Sequence, residues 1–214
     1  MNVAEVKASI VADLVERHGC HAVVLYGSRA KGTANEASDW DVLGVRHAGP
    51  SLHDARALGD IYLDAFVETD DSLTTFEAGH LRYLDGEILH DPDGITSELF
   101  ARLKVAQARG PEKLSSEARR QKIEWLKRTL IRAEGGSAAS DYRRTWLLFE
   151  LLPAYFELRS IFYLGPKESL AWLEDEDREA SHLFSIALQP GAEQADLSRL
   201  VAFVTHVRAS ESSS

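Results

Sequence analysis

One cysteine in 214 residues, Cys20, leaves nothing from which to build a disulfide framework or a cysteine-based zinc site, and it fits a reducing cytosol. Long apolar runs are also missing. The longest, Trp146 to Gly165, is interrupted by Glu150, Pro153, Glu157 and Arg159, so it reads as a buried helix and not as a membrane span. The N-terminus alternates charges with small apolar residues and shows no signal peptide, so a soluble, cytoplasmic protein is expected. Basic residues are scarce, with 24 Lys and Arg against 34 Asp and Glu and a formal net charge of −10. That balance disfavours a protein whose affinity comes from neutralising many phosphates of a polynucleotide. No internal repeat or low-complexity segment is present. What remains is ordinary globular material, 44% hydrophobic and 27% charged, enough for one large domain or two small ones.

The charge is unevenly spread. Residues 60–98 carry eleven carboxylates against a single basic residue, Arg82, whereas residues 113–144 carry nine basic residues against four acidic ones. Hydrophobic periodicity is uneven too. Val3, Val6, Ile10, Val11, Leu14 and Val15 recur at helical spacing, with Gly19 as a stop. Ala22–Tyr26, Asp39–Val45 and Ile61–Val67 read as strands, and Ile88–His90 as a short edge strand. Ser72 is expected to cap a helix reaching Leu84, and a further helix should run from Thr96 or Ser97 to the Gly110-Pro111 stop. Beyond it only helical patterns survive: 115–134, 140–164, 166–174, 177–188 and 192–208. The expected organisation is α+β: a small mixed sheet with flanking helices over 1–110, an all-helical bundle over 111–209, and a flexible tail over 210–214. The tryptophans and phenylalanines of the helical half read mostly as core.

The chemistry is concentrated in two short stretches, Leu25-Tyr26-Gly27-Ser28-Arg29-Ala30-Lys31-Gly32-Thr33 and Ser38-Asp39-Trp40-Asp41-Val42. A buried strand ending at Gly27-Ser28 lets backbone N–H groups approach an anion closely. The Ser28 hydroxyl, Arg29 and Lys31 add a donor and positive charge to the same turn. Asp39 and Asp41 stand at i and i+2 on an expected strand, hence on one side of it. Two like charges held together call for a cation, and an all-oxygen pair suits Mg²⁺. A phosphate cradle beside a metal-binding carboxylate pair is the equipment of phosphoryl or nucleotidyl transfer. A P-loop ATPase is excluded, because Thr33 follows Gly32 where the P-loop lysine belongs.

Gly27-Ser28 followed, ten residues on, by Asp39-Trp40-Asp41 resembles the signature of the polymerase-β-like nucleotidyltransferase superfamily. Arg29-Ala30-Lys31-Gly32 and Ser38 also match its minimal bacterial members. The resemblance implies that 1–110 is the catalytic domain, that Gly27, Ser28, Arg29 and Lys31 bind the nucleotide, and that Asp39 and Asp41 bind Mg²⁺. It also implies a third carboxylate on a following strand. Asp64, a charge centred in the apolar run Ile61–Val67, is the best match, as metal ligand or as base; Glu68 is the weaker candidate.

The helical half, through Tyr155-Phe156-Glu157-Leu158-Arg159, Tyr163–Lys167 and Leu170–Leu173, resembles more loosely the C-terminal domains of kanamycin-type antibiotic nucleotidyltransferases. In that setting Glu150 or Glu157, seven residues apart and so on similar faces of one helix, could serve the acceptor side. The implied reaction is Mg²⁺-dependent transfer of a nucleoside monophosphate, AMP from ATP or its counterpart from another NTP, to a hydroxyl, with release of pyrophosphate. The acidity of 60–98 favours a cationic, aminoglycoside-like small molecule as acceptor. The alternative is a protein- or tRNA-modifying enzyme of the toxin–antitoxin type. His18, Cys20 and His21 cluster near a helix end, but in no zinc-site spacing.

Overall fold

Asn2 caps the first helix, α1 (Val3–His18), through a reciprocal bond with Glu5, and Gly19 ends it at φ 66°. The computed structural model describes residues 2–206; the expected tail at 210–214 and the end of the last predicted helix lie outside them. After α1 come β1 (Ala22–Leu25), α2 (Gly27–Ala30), β2 (Trp40–Arg46), β3 (Leu52–Leu58) and β4 (Ile61–Thr69). Then follow α3 (Asp70–Thr74), a 3₁₀ segment Ala78–Tyr83, β5 (Glu87–His90) and α4 (Ile95–Arg109). The sheet order is β3-β4-β2-β1-β5; β2 and β4 are parallel and the other pairs antiparallel. This is the expected mixed sheet with flanking helices, followed by a region with helices alone.

One face of the sheet packs on α1. Val6, Ile10 and Leu14 meet Val23, Leu25, Trp40, Val42, Leu63, Ala65 and Val67 there. The pleat therefore sends the alternate residues of β2 and β4, Asp41 and Asp64 among them, to the opposite face.

Three expectations are corrected. β3 was not foreseen: the residues it turns toward α1 include Asp54 and Arg56, so no apolar alternation marks it. Arg56 binds Asp54 and Asp13, and His18 lies 2.8 Å from Asp54, which satisfies the inward charges. The continuous helix expected from Ser72 to Leu84 is instead five residues of α3 and a 3₁₀ segment. Ser72 is not the cap; it is the partner of the cap, Thr69, three residues earlier, and Thr74-Thr75 then gives way to extended chain. Asp39 also stands one residue ahead of the strand that was expected to contain it.

Contacts within the chain divide it into two compact units between Arg109 and Gly110. The second unit holds α5 (Ser116–Arg132), α6 (Ala138–Leu158), α7 (Pro166–Glu176), α8 (Arg178–Ala187) and α9 (Gln194–Thr205). Its core gathers Leu126, Leu147, Leu151, Tyr155, Phe156, Leu173, Phe184, Leu197 and Leu200. α6 starts two residues earlier than expected, again because a hydroxyl pair, Ser137 and Ser140, forms the cap. It stops at Leu158, six residues short of the expected end. There the Arg159 guanidinium folds over the Tyr155 ring and donates to Val204 and Phe203 carbonyls. Trp146 and Phe149 are exposed and not core, Phe149 by 74%. Among the described residues no helix is long and apolar enough to cross a membrane.

Candidate active site

Tyr26 N–H donates to the Asp41 carbonyl at 2.9 Å, extending the β1–β2 ladder by one residue. The next residue, Gly27, turns at φ +68° into α2 and comes to rest beneath the Asp41 carboxylate. A Cβ placed on Gly27 would fall 2.1 Å from Asp41 Oδ2, so no other residue fits without moving that carboxylate. Across the parallel pairing, Asp41 stands in direct register with Asp64. Two half-buried carboxylates thus stand on one face of neighbouring strands, with Asp41 against the turn that carries Gly27-Ser28. Ser28 is buried within α2, and the preceding Tyr26 offers no side-chain cap to the first-turn N–H groups.

Arg29 is held in the protein. Its Nε donates to the carbonyls of Ser38 at 3.2 Å and Asp39 at 3.1 Å, and its Nη2 to Ser38 at 2.5 Å. The guanidinium lies 4.5 Å from the centre of the Trp40 ring. Thr33 N–H donates to Ser28 O at 2.9 Å, and Asn35 and Ser38 close a small turn by mutual side-chain bonds. These contacts fix the connector on which Asp39 sits, exposed, two residues ahead of Asp41. Lys31, at the end of α2, is exposed.

Asp64 has a partner that the sequence did not reveal. His53, from the unforeseen β3, bonds Asp64 Oδ1 through Nε2. Its ring stacks on Phe66 at 4.3 Å and 12°, and the Arg82 guanidinium lies 4.2 Å from the same phenylalanine. Tyr26 packs edge-on against Tyr83 at 5.0 Å. Burial raises the Tyr26 phenol well above its ordinary pKa; neighbouring Tyr83, Asp41 and Asp64 push the same way, and Arg82 opposes them. Burial likewise pushes Tyr83 up to about 12. Both phenols stay neutral at physiological pH, and the buried Tyr83 hydroxyl has no hydrogen-bond partner among the described residues.

Four of the other acids of 60–98 serve internal bonds. Glu68 accepts from the Ser51 and Ser72 hydroxyls, Asp70 pairs with two histidines, Glu87 pairs with Lys7 at 2.6 Å, and Asp91 caps α4. In the second unit, Glu157 is ion-paired with Lys122 at 2.8 Å, and both Glu150 and Glu157 line a groove with Gln121, Lys122 and Trp125. A second concavity of that unit is lined by Arg120, Glu124, Trp125, Arg128 and Arg132.

Asp41 and Asp64, in register on neighbouring strands, offer oxygen donors that suit a hard divalent cation, whereas Asp39, exposed on its connector, does not join them in a three-ligand cluster among the described residues. No family model matches the chain, and no curated protein matches it significantly. In structure it is similar to a nucleotidyltransferase-like protein from Exiguobacterium sibiricum 255-15, at 8% identity and a TM-score of 0.46 over 95% of this chain and 73% of that one.

Proposed function

We propose that the first unit is the catalytic domain of a Mg²⁺-dependent nucleotidyltransferase that moves a nucleoside monophosphate, AMP from ATP, onto an acceptor hydroxyl. The observation that carries this reading is the Gly27 turn pressed against the Asp41 carboxylate, with Asp41 in register with Asp64. In this reading Ser28 and the adjoining amides hold the triphosphate, and Lys31 adds positive charge. Arg29 positions Asp39 by holding its connector. Asp39, Asp41 and Asp64 hold the metal, and a bound Mg²⁺ would supply Lewis-acid polarisation at the α-phosphorus and a counter-charge for the leaving group. The acceptor oxygen bonds the α-phosphorus as the bond to the β-phosphate oxygen breaks and pyrophosphate departs. The Oδ1 of Asp64 is engaged by His53, so Oδ2 is the atom left either to ligate the metal or to take the hydroxyl proton.

A small-molecule acceptor is the first choice for this site, with an amine-rich alcohol favoured by the acidity of the unit. A tRNA or protein acceptor is the second, favoured by the arginine-lined concavity around Trp125 in the helical unit. The test is incubation with each labelled NTP, Mg²⁺ and a panel of aminoglycosides, other hydroxylated metabolites, tRNA and lysate proteins. Label on a small cationic alcohol is expected, with binding that weakens as ionic strength rises. Label on tRNA or protein alone overturns the small-molecule reading. No label from any NTP on any acceptor overturns the activity.

A further inference from the structure

His21, His47 and Asp70 are scattered over 50 residues of sequence, yet they meet at the end of the sheet opposite to Asp41. His21 precedes β1, and its N–H donates to Val45 O at 2.8 Å; His47 follows β2; Asp70 follows β4 and opens α3. From Asp41 to His47 the chain advances six residues along β2, roughly 20 Å of strand. His21 Nε2 lies 3.1 Å from Asp70 Oδ1 and His47 Nδ1 lies 2.8 Å from Oδ2. The two imidazoles stack at 4.1 Å with 13° between their planes, and one ligand atom from each of the three residues falls within 4.8 Å of the others.

We propose that these three side chains form a binding site for a transition-metal dication of the Zn²⁺ class. Two imidazole nitrogens and one carboxylate are ligands that suit Zn²⁺, with the fourth position left to water. Mg²⁺ prefers oxygen and dehydrates reluctantly, so it competes poorly here. The parts are held unequally, in a way that suits loading. His21 is mostly buried and anchored by the ladder, and the Thr69–Ser72 cap fixes the turn that carries Asp70. His47 is 76% exposed, so an incoming ion can reach it from solvent. Asp71, next along α3, adds negative charge beside the site.

His18 and Cys20, the sequence neighbours of His21, take no part. His18 turns to Asp54, and the Cys20 thiol is buried, its pKa pushed up to about 11.

The experiment is calorimetric titration of the whole chain with Zn²⁺ in a large excess of Mg²⁺, which keeps the carboxylate end occupied. One Zn²⁺ per chain is expected, for the wild type and for Asp41→Asn alike. His47→Ala, a change at an exposed side chain, should weaken binding by at least about tenfold, as should Asp70→Asn, which keeps the hydrogen-bonding shape. Absence of Zn²⁺ binding by the wild type, undiminished binding by His47→Ala, or loss of binding in Asp41→Asn would each overturn the proposal. Because no readout depends on nucleotide, the result is separable from the transferase reading.

Discussion

The two ends of one sheet are built from different donors. At one end Asp41 and Asp64 stand side by side in register, with a glycine where any side chain would intrude. At the other end two stacked imidazoles share a single carboxylate. The same pair of parallel strands, β2 and β4, supplies or leads into both clusters, so topology alone does not decide what an end can bind. Donor chemistry sets which ion each proposed site would prefer: carboxylate oxygens a hard ion, imidazole nitrogens a softer one. The helical unit differs from both ends. Its conspicuous carboxylate, Glu157, is already neutralised by Lys122.

The largest effect expected belongs to the carboxylate end. Asp41→Asn removes a charge without changing shape, and should cut transfer by at least about 100-fold. Gly27→Ala should do comparable damage, because its Cβ needs the space of Asp41 Oδ2 and its φ of +68° disfavours any L-side chain. It should also lower stability by about 1 kcal/mol or more, read from chemical denaturation. Next comes Asp64→Asn, which should depress kcat while leaving ATP binding largely intact. Unchanged turnover there would remove Asp64 from the role of base.

His53→Ala should lower kcat by about tenfold with KM for ATP little altered, and should shift the pH profile of kcat, since it acts only through the orientation of Asp64. A His53→Gln variant, able to donate at that position, should recover part of the loss.

Stability against acid sharpens the comparison in another way, because it reports groups at neither end. Burial lowers the pKa of His80, so the neutral ring is the folded form. Its contribution is present above the unfolded histidine value of about 6.5 and is lost as pH falls through the lowered folded value. Asp54 and Asp91 follow at lower pH. Burial alone would raise both, but His18 and Arg56 bonded to Asp54, and Thr96, Ile95 and Gly94 bonded to Asp91, hold their carboxyls below the ordinary value. Their stabilisation is present above about pH 4 and is lost as pH falls through the lowered folded values. Thermal melts should therefore fall in two stages between neutrality and strong acid, and His80→Gln should flatten the first.

The smallest effect expected is at Glu157. Its pair with Lys122 is partly exposed, so Glu157→Gln should change stability by less than about 1 kcal/mol. Transfer should stay unchanged.

How much of this was legible in the sequence follows from the range of each signal. Gly27, Ser28, Asp39 and Asp41 lie within fifteen residues and carry a local spacing, and Asp64 stands out as a charge in an apolar strand. β3 hid because Asp54 and Arg56 occupy inward positions where alternation would show Val or Ile, and with β3 went His53. The start of two helices was displaced by the same device, a hydroxyl pair in which the visible serine answers a cap three residues upstream. His21, His47 and Asp70 had no local spacing to read. Only the strand order brings them together. Trp146 and Phe149 show the converse failure, since helical periodicity tells which residues share a face but not whether that face is covered.

In the proposed function the Gly27 turn and its carboxylates hold a metal-bound nucleotide. The most direct measurement is calorimetric binding of ATP, with and without Mg²⁺, by the wild type and by the Asp39→Asn, Asp41→Asn double variant. Mg²⁺-dependent binding is expected of the wild type and should be lost in the double variant, with its melting curve otherwise intact. Mg²⁺-dependent binding of ATP by the double variant at wild-type affinity would contradict it.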